Sequence, residues 1–242
     1  MATQQVSPTT GASAAGRPVS GWRRQATSIE IAAIAGIVCA AAWSVSLRGL
    51  LARPGLDASR EEIARFYANH DRGHVGVLLA LMVIGTVAYL WFVGVVRSRL
   101  GAGESRLVGT VFLGASVLLT GLMLVAASAL AAPSILLDVS GQVPDPGAAA
   151  LFRALAAVEL SVFAARIATL VMFSTASLGL RTGAFPRWLV VVTYVVGVAE
   201  FVNVTLSTPT LYVFPAWIAL VSVVLLVRRP QLRPEESPPS SS

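Results

Sequence analysis

The sequence predicts an all-α protein, a bundle of six transmembrane helices with a short amphipathic helix in the first extracytoplasmic loop. Of its 242 residues, 55% are hydrophobic and only 12% are charged, whereas a soluble domain keeps about a quarter of its residues charged. The mean hydropathy is +0.75. A membrane-spanning helix needs about 20 apolar residues. Six blocks of that kind cover residues 29–51, 75–96, 108–131, 150–180, 188–207 and 211–227.

The first span carries a stripe of small residues at four-residue spacing: Ala32, Gly36, Ala40 and Ser44. Such a stripe allows the backbone of another helix to approach closely. It predicts packing within the bundle, or against a second copy of this chain or another membrane protein. Arg48 continues the stripe by one turn, so its side chain either faces the bundle or extends along the helix to the membrane surface.

The loop after the first span contains a helix start signal. In Ser59-Arg60-Glu61-Glu62, a serine and a glutamate three residues later form a capping box. Ile63, Phe66 and Tyr67 follow at i, i+3 and i+4, which places them on one helical face. We therefore predict a short amphipathic helix over 60–70. It either lies at the outer membrane interface or caps the bundle without touching lipid.

The only two histidines, His70 and His74, lie four residues apart beside this helix. That spacing places two imidazoles on one helical face. A closed zinc site takes four ligands, however, and Gly73 weakens a helix at this point. We expect solvated or interfacial histidines, with no metal and no cofactor.

The later spans carry boundary signals of their own. The fourth span, 150–180, is longer than a bilayer requires, so residues 150–158 are expected to project beyond the membrane. Gly183 suits the left-handed position that ends a helix, and Pro186 suits the first turn of the next one. They predict a tight hairpin before the fifth span. Pro215 is expected to kink the sixth span near its outer end.

The arginines predict the orientation, because cytoplasmic loops of membrane proteins carry an excess of positive charge. One side of the six-span arrangement carries eleven: Arg17, Arg23, Arg24, Arg97, Arg99, Arg106, Arg181, Arg187, Arg228, Arg229 and Arg233. The other side carries five: Arg53, Arg60, Arg65, Arg72 and Arg153. Both termini are therefore predicted to lie in the cytoplasm, in polar tails over 1–27 and 230–242 that are expected to be disordered. The predicted location is the bacterial cytoplasmic membrane.

Three polar residues inside the predicted spans are the strongest candidates for a functional site. Arg166 lies fifteen residues before the hairpin at 181–187 and Glu200 thirteen after it, so the two reach a similar depth at 1.5 Å per residue. Asn203 follows Glu200 by one turn. Because separate charges in hydrocarbon are costly, we predict that Arg166 and Glu200 pair. This polar cluster, with Arg48 as a further candidate, either staples the hairpin or binds a small ion or solute.

The composition argues against several functions. The net charge is +6 and the pI 10.6, but the arginines are scattered among membrane loops instead of forming the basic soluble face that nucleic acid requires. Cys39 is the only cysteine, which excludes disulfides within the chain and thiolate clusters. Phosphate-loop, nucleophile-elbow and zinc-peptidase motifs are absent from the sequence. We predict no nucleic-acid partner and no catalytic residue.

The order of these features resembles that of an uncharacterised family of small six-helix bacterial membrane proteins, common in high-GC actinobacteria. The matching segments are 61–67, Trp91-Phe92 with Arg97, and above all Leu180-Arg181-Thr182-Gly183-Ala184-Phe185-Pro186-Arg187-Trp188-Leu189. The resemblance covers residues 29–228 and implies the six-span fold. The family has no established activity, so the resemblance assigns no functional residue.

The sequence thus predicts a multi-pass integral membrane protein, in contact with the lipid bilayer and without enzymatic activity. Its expected role is structural, accessory or sensing. The alternative is a transporter or channel for a small solute or ion, with its site around Arg166, Glu200 and Asn203.

Overall fold

The protein is helical throughout the part of the chain that its computed structural model describes, namely residues 21–54, 58–68, 74–100, 106–183, 185–203 and 208–227. No β-strand occurs within these ranges. In chain order the helices are α1 (Gly21–Leu51), α2 (Arg60–Ala68), α3 (His74–Leu100), α4 (Arg106–Ser140), α5 (Pro146–Val158), a π-helical segment (Glu159–Ala164), α6 (Ala165–Thr182), α7 (Arg187–Val202), a 3-10 helix (Thr208–Tyr212) and α8 (Val213–Val227). The all-α prediction is confirmed for these residues.

Five helices are long and apolar enough to cross a membrane. They cover Glu30–Leu51, His74–Arg97, Leu107–Ser140, Pro146–Arg181 and Pro209–Val227. Helix α7 has 16 residues, fewer than the roughly 20 that span a bilayer without help. The five helices correspond to five of the six predicted spans, and they support the assignment of the chain to the multi-pass membrane proteins.

The core of the bundle forms where α1 packs against α3 and α8, and where α6 packs against α4 and α7. Trp43, Tyr89, Phe92 and Phe112 are fully buried in it. The outer surface is also apolar, since Val77, Val83, Ile84 and Val87 on α3 each expose at least half of their area. A contiguous apolar exterior of this kind is unfavourable in water and matches a lipid environment.

The small-residue stripe of α1 is used inside the bundle. Ala32, Gly36 and Ala40 are buried. A Cβ added to Gly36 would overlap the side chain of Ser222 on α8 and crowd Phe92 on α3. Glycine is required here because the backbone of α1 lies against these neighbours. The stripe therefore brings α1 and α8 of the same chain together.

Helix α4 continues beyond its predicted end. The apolar block was expected to end at 131, yet α4 runs to Ser140 and contains Pro133 in its interior. A proline lacks the N–H that would bond to the carbonyl four residues earlier. Helices inside bundles tolerate this loss because neighbouring groups and local adjustments satisfy the freed backbone. Helix α1 likewise begins at Gly21, before the predicted span at 29–51 and inside the 1–27 tail that was expected to be disordered.

Pro215 was expected to kink the sixth span near its outer end, and it lies close to the start of that span. It is the third residue of α8, and the chain before it is a 3-10 helix over Thr208–Tyr212. The first four N–H groups of a helix have no partner within that helix. Proline at this position removes a donor that was already unpaired.

The turn between α6 and α7 follows its local sequence. Gly183 ends α6 with φ of 68°, in the left-handed region, as predicted. Pro186 lies directly before the first residue of α7, one position earlier than expected, with φ of −65° and an extended ψ. Phe185 packs against Gly179, where a Cβ would overlap its ring. The next helix therefore starts within a few residues.

Helix α2 begins with the predicted capping box. The Ser59 amide donates to Glu62 Oε2 over 2.9 Å, and the Glu62 amide donates to Ser59 Oγ over 3.2 Å. Ile63 and Tyr67 are buried, and they pack in one cluster with Leu137 and Ala149 of the bundle. The apolar face of α2 is therefore covered by protein. These contacts match the alternative in which α2 caps the bundle.

Candidate functional site

Arg166 on α6 joins two helices through hydrogen bonds to backbone carbonyls. Its Nη1 donates to Ser161 O and to Val162 O, and its Nη2 donates to Asn203 O over 3.0 Å. Three carbonyl acceptors stabilise the cation in place of a carboxylate, because hydrogen bonds to a charged donor are roughly twice as strong as neutral ones. The arrangement ties the C-terminal end of α7 to the middle of the α5–α6 helix.

The π-helical segment explains why carbonyls are available to Arg166. Between Glu159 and Ala164 the backbone changes to i→i+5 hydrogen bonding, which disturbs the regular i→i+4 ladder. Ser161 and Val162 both lie in this segment, one turn before Arg166. No feature of the sequence predicted it. Segments of this type occur frequently at functional sites.

The predicted cluster of polar residues is only partly assembled. The carbonyl of Asn203 contacts Arg166 as described, whereas the prediction used the side-chain amide. Within the described part of the chain, Arg166 makes no ion pair with Glu200, although the two charges are close enough to attract each other electrostatically. Arg48 is exposed on α1, as expected for a side chain that extends to the membrane surface, and it does not join the cluster.

Glu200 instead lines a cavity whose empty space, including the part open to solvent, is about 490 Å³. The cavity lies where α1, α4, α6 and the start of α8 meet near the end of α7. Most of its wall is apolar, including Trp43, Leu47, Met123, Met172 and Phe214. Two threonines, Thr169 and Thr210, also line it. Among the described residues that form this wall, Glu200 is the only charged one, and its carboxylate makes no hydrogen bond to another described residue.

A second cavity lies at the end of the bundle that α2 covers, and its empty space, including the part open to solvent, is about 320 Å³. Arg53, Tyr67 and Arg153 provide its polar lining, and Pro133 with Ala129 of α4 forms part of the wall. From the sequence, both arginines were expected to be loop charges that indicate orientation. Because they are 100 residues apart in the sequence, no local pattern connects them. The detectable signal was Arg153 inside an apolar block.

Burial determines the ionisation of the side chains that line this second cavity. Burial raises the pKa of Tyr67 above its ordinary value of 10.0, and the positive charge of Arg53 offsets part of that rise. Tyr67 is therefore a neutral hydroxyl at physiological pH. Burial also lowers the pKa of Arg53. The interaction with Tyr67 raises that pKa in part, and the like charge of Arg153 lowers it further. A guanidinium nevertheless stays protonated in proteins, so the cavity holds two positive charges.

The histidine pair falls partly outside the described residues. His74 is the first residue of α3 and is exposed, whereas His70 lies in the stretch 69–73, which the structure does not describe. Within the described ranges, no group of three or more His, Cys, Asp or Glu side chains is placed to hold a metal ion.

Comparison of the chain with models of protein families, with curated proteins and with solved structures gives no match.

Proposed function

We propose that this chain is a non-enzymatic membrane protein with six spans that binds a small, mainly apolar molecule in the Glu200 cavity, in a sensing or accessory role. The supporting observation is the cavity itself. Ligand sites are typically concave and mostly apolar, with a few polar groups that orient the ligand. The cavity has this lining, and its one carboxylate favours a ligand with a cationic or hydrogen-bond-donating group.

The proposal treats α7 as the sixth span, which supplies the even number that places both termini on the cytoplasmic side. Its outward face supports this, since Val191, Val195, Val198 and Val202 are each more than half exposed. These residues form an apolar stripe along one side of the helix, as expected for contact with lipid. We further propose the bacterial cytoplasmic membrane as the location, on the distribution of arginines among the loops.

A pair of compact probes tests the binding site. The purified full-length protein is titrated with adamantan-1-amine and with adamantane-1-carboxylate, and binding is followed by thermal stabilisation and equilibrium dialysis. The amine is expected to bind more tightly, because its charge complements Glu200 in surroundings of low dielectric. Glu200→Gln should abolish that preference, and Glu30→Gln, at an exposed acidic residue of α1, should keep it. Equal binding of both probes to the wild type would contradict the proposal.

A transporter for the same class of molecule is the second candidate, and the π-helical segment favours it. Transporters typically bind substrate where helices are interrupted within the membrane. Here the irregular backbone at Glu159–Ala164 directly precedes Ala165 and Ala168, which line the cavity. Transport would be favoured if the protein takes up adamantan-1-amine into proteoliposomes and Glu200→Gln abolishes this uptake. Binding without uptake would favour the sensing or accessory role.

A further inference from the structure

The cavity beneath α2 contains two arginines with incomplete hydrogen bonding. Arg53 exposes only 8% of its surface. Its Nη1 donates to Leu50 O over 2.7 Å and its Nη2 to Ser134 Oγ over 3.2 Å. Its third nitrogen, Nε, is fully shielded and meets no acceptor among the described residues. Leu50 O, Ser134 Oγ and the Tyr67 hydroxyl, which also interacts with Arg53, are all neutral, so they hold the guanidinium in place without cancelling its charge.

Arg153 brings a second positive charge to the same cavity from α5. Its Nη1 is likewise shielded from solvent without an acceptor in the described part of the chain. Removing a cation from water costs several kcal/mol in a protein unless a partner compensates. Two cations lining one cavity add mutual repulsion to that cost. The arrangement is therefore unfavourable unless an anion lies between them.

The nearby acidic residues in the described ranges are engaged or exposed elsewhere. Glu62 accepts from the Ser59 amide, and Asp145 accepts from the Ala148 amide at the start of α5. Glu61 and Asp138 are exposed. None of these four carboxylates lines the cavity, so the described chain supplies no counter-ion there.

We propose that the Arg53–Arg153 cavity binds an oxyanion, the carboxylate or phosphate group of a small solute or of a lipid headgroup. The planar guanidinium matches the geometry of both groups and can present parallel N–H donors to them. The unpaired Nε of Arg53 and Nη1 of Arg153 are the donors that such an anion would satisfy. The neutral hydroxyl of Tyr67 lines the same space. This site is separate from the Glu200 cavity, so the proposal does not depend on the function proposed above.

The binding test uses full-length protein and inorganic phosphate. Equilibrium dialysis with radiolabelled phosphate, after purification in a buffer free of oxyanions, is expected to give one saturable site per chain. Arg153→Gln should weaken binding by at least about tenfold, the effect expected for loss of one charged hydrogen-bonding partner. Arg53→Lys keeps the charge but removes the planar donors, and should also weaken binding. The control is Arg48→Gln, which replaces an exposed arginine near the C-terminal end of α1. The affinity of this variant for phosphate should equal that of the wild type.

The source of the oxyanion is tested with lipids. The protein is reconstituted in nanodiscs of phosphatidylcholine with or without phosphatidylglycerol, and bound lipid is counted by native mass spectrometry. A lipid headgroup occupies the site if the protein retains one phosphatidylglycerol, if inorganic phosphate displaces that lipid, and if Arg153→Gln no longer retains it. Phosphate binding with no retained lipid would identify a free solute. If neither ligand binds, or if Arg48→Gln weakens binding as much as Arg153→Gln does, the proposal is wrong.

A measurement on the wild-type protein covers the case in which a variant fails to fold. Phenylglyoxal modifies accessible arginines, and the modified positions are mapped by mass spectrometry. Phosphate should protect Arg153, the more accessible arginine of the pair, while Arg48 reacts equally in its presence and absence. Lack of protection would overturn the proposal. So would phosphate binding that appears only in Asp57→Asn, because that result would make Asp57, which lies outside the described residues, the native counter-ion.

Discussion

Arg166 on α6 donates a hydrogen bond to the backbone carbonyl of Asn203, at the C-terminal end of α7, over 3.0 Å. The contact spans 37 positions of the chain and connects the helix that contains the π-helical segment with the helix that carries Glu200. Glu200, which lines the cavity, lies one turn before Asn203 on the same helix, so the contact restrains the backbone next to it. Arg166 is therefore a positioning residue, and Glu200 is the candidate binding residue.

The first prediction concerns the stability of this connection. Arg166→Ala should lower the melting temperature in detergent more than Glu200→Ala does, because it removes a charged donor from three carbonyls. The expected cost is about 1.5–3 kcal/mol. The double variant Arg166→Ala/Glu200→Ala should lose somewhat less than the sum of the two single losses, because the two charges attract each other although they form no ion pair. Arg181→Ala, at the exposed end of α6, is the control. If Glu200→Ala lowers the melting temperature as much as Arg166→Ala does, the result would contradict the structure.

The second prediction concerns the close approach of α1 and α8. Gly36→Ala should destabilise the protein by about 1–3 kcal/mol, the usual cost of overpacking, because the new Cβ overlaps Ser222. Gly94→Ala is the matched control, since a Cβ there meets no atom within 4 Å. Gly36→Ala/Ser222→Ala should recover part of the loss. The measurement is thermal unfolding, and no difference between the two glycine variants would argue against this packing.

The third prediction concerns topology. Reporter fusions after residues 102 and 184 should read as cytoplasmic, and fusions after residues 56 and 142 as extracytoplasmic. The physical reason is the excess of arginine on the side that carries the termini. The same alkaline phosphatase and green fluorescent protein pair at all four positions provides internal controls. A reversed reading at any two positions would exclude the proposed six-span orientation.

The fourth prediction concerns the pH dependence of stability. Because burial raises the pKa of Tyr67 above 10.0, the folded state favours the neutral phenol. Its contribution is fully present below pH 10, the ordinary pKa, and is lost as the pH rises through the raised value. Tyr67→Phe cannot ionise, so its melting temperature should fall less between pH 9 and pH 11 than that of the wild type. If the melting temperatures of both proteins fall in parallel, Tyr67 does not contribute to the pH dependence of stability.

Local signals allowed parts of this fold to be predicted from sequence. The capping box at Ser59 and Glu62 and the left-handed end of α6 at Gly183 depend on interactions within a few residues. Such interactions are the same wherever the sequence occurs. The apolar blocks are equally local, because the membrane imposes a minimum length on each span. These features therefore appear in the structure close to where they were expected.

The polar sites depend on contacts that the sequence does not encode locally. Arg53 and Arg153 share a cavity because α1, α4 and α5 pack together. Two of the three carbonyls that accept from Arg166 lie in a π-helical segment without a sequence signature. Pairing Arg166 with Glu200 by depth alone ignored the direction in which each side chain leaves its helix. Equal depth is necessary for an ion pair, but it does not determine whether the two side chains point toward each other.

The π-helical segment also sets the rotational phase between the two halves of one long helix. A π-helical turn contains about one residue more than an α-helical turn, and each residue of an α-helix turns the chain by about 100°. Deleting one residue between Glu159 and Ala164 would restore a continuous α-helix and rotate α6 relative to α5 by that angle. Arg153 could then face its cavity, or Arg166 could reach Asn203, but the two contacts would no longer coexist. One inserted residue thus allows a single helix to serve two separate polar sites.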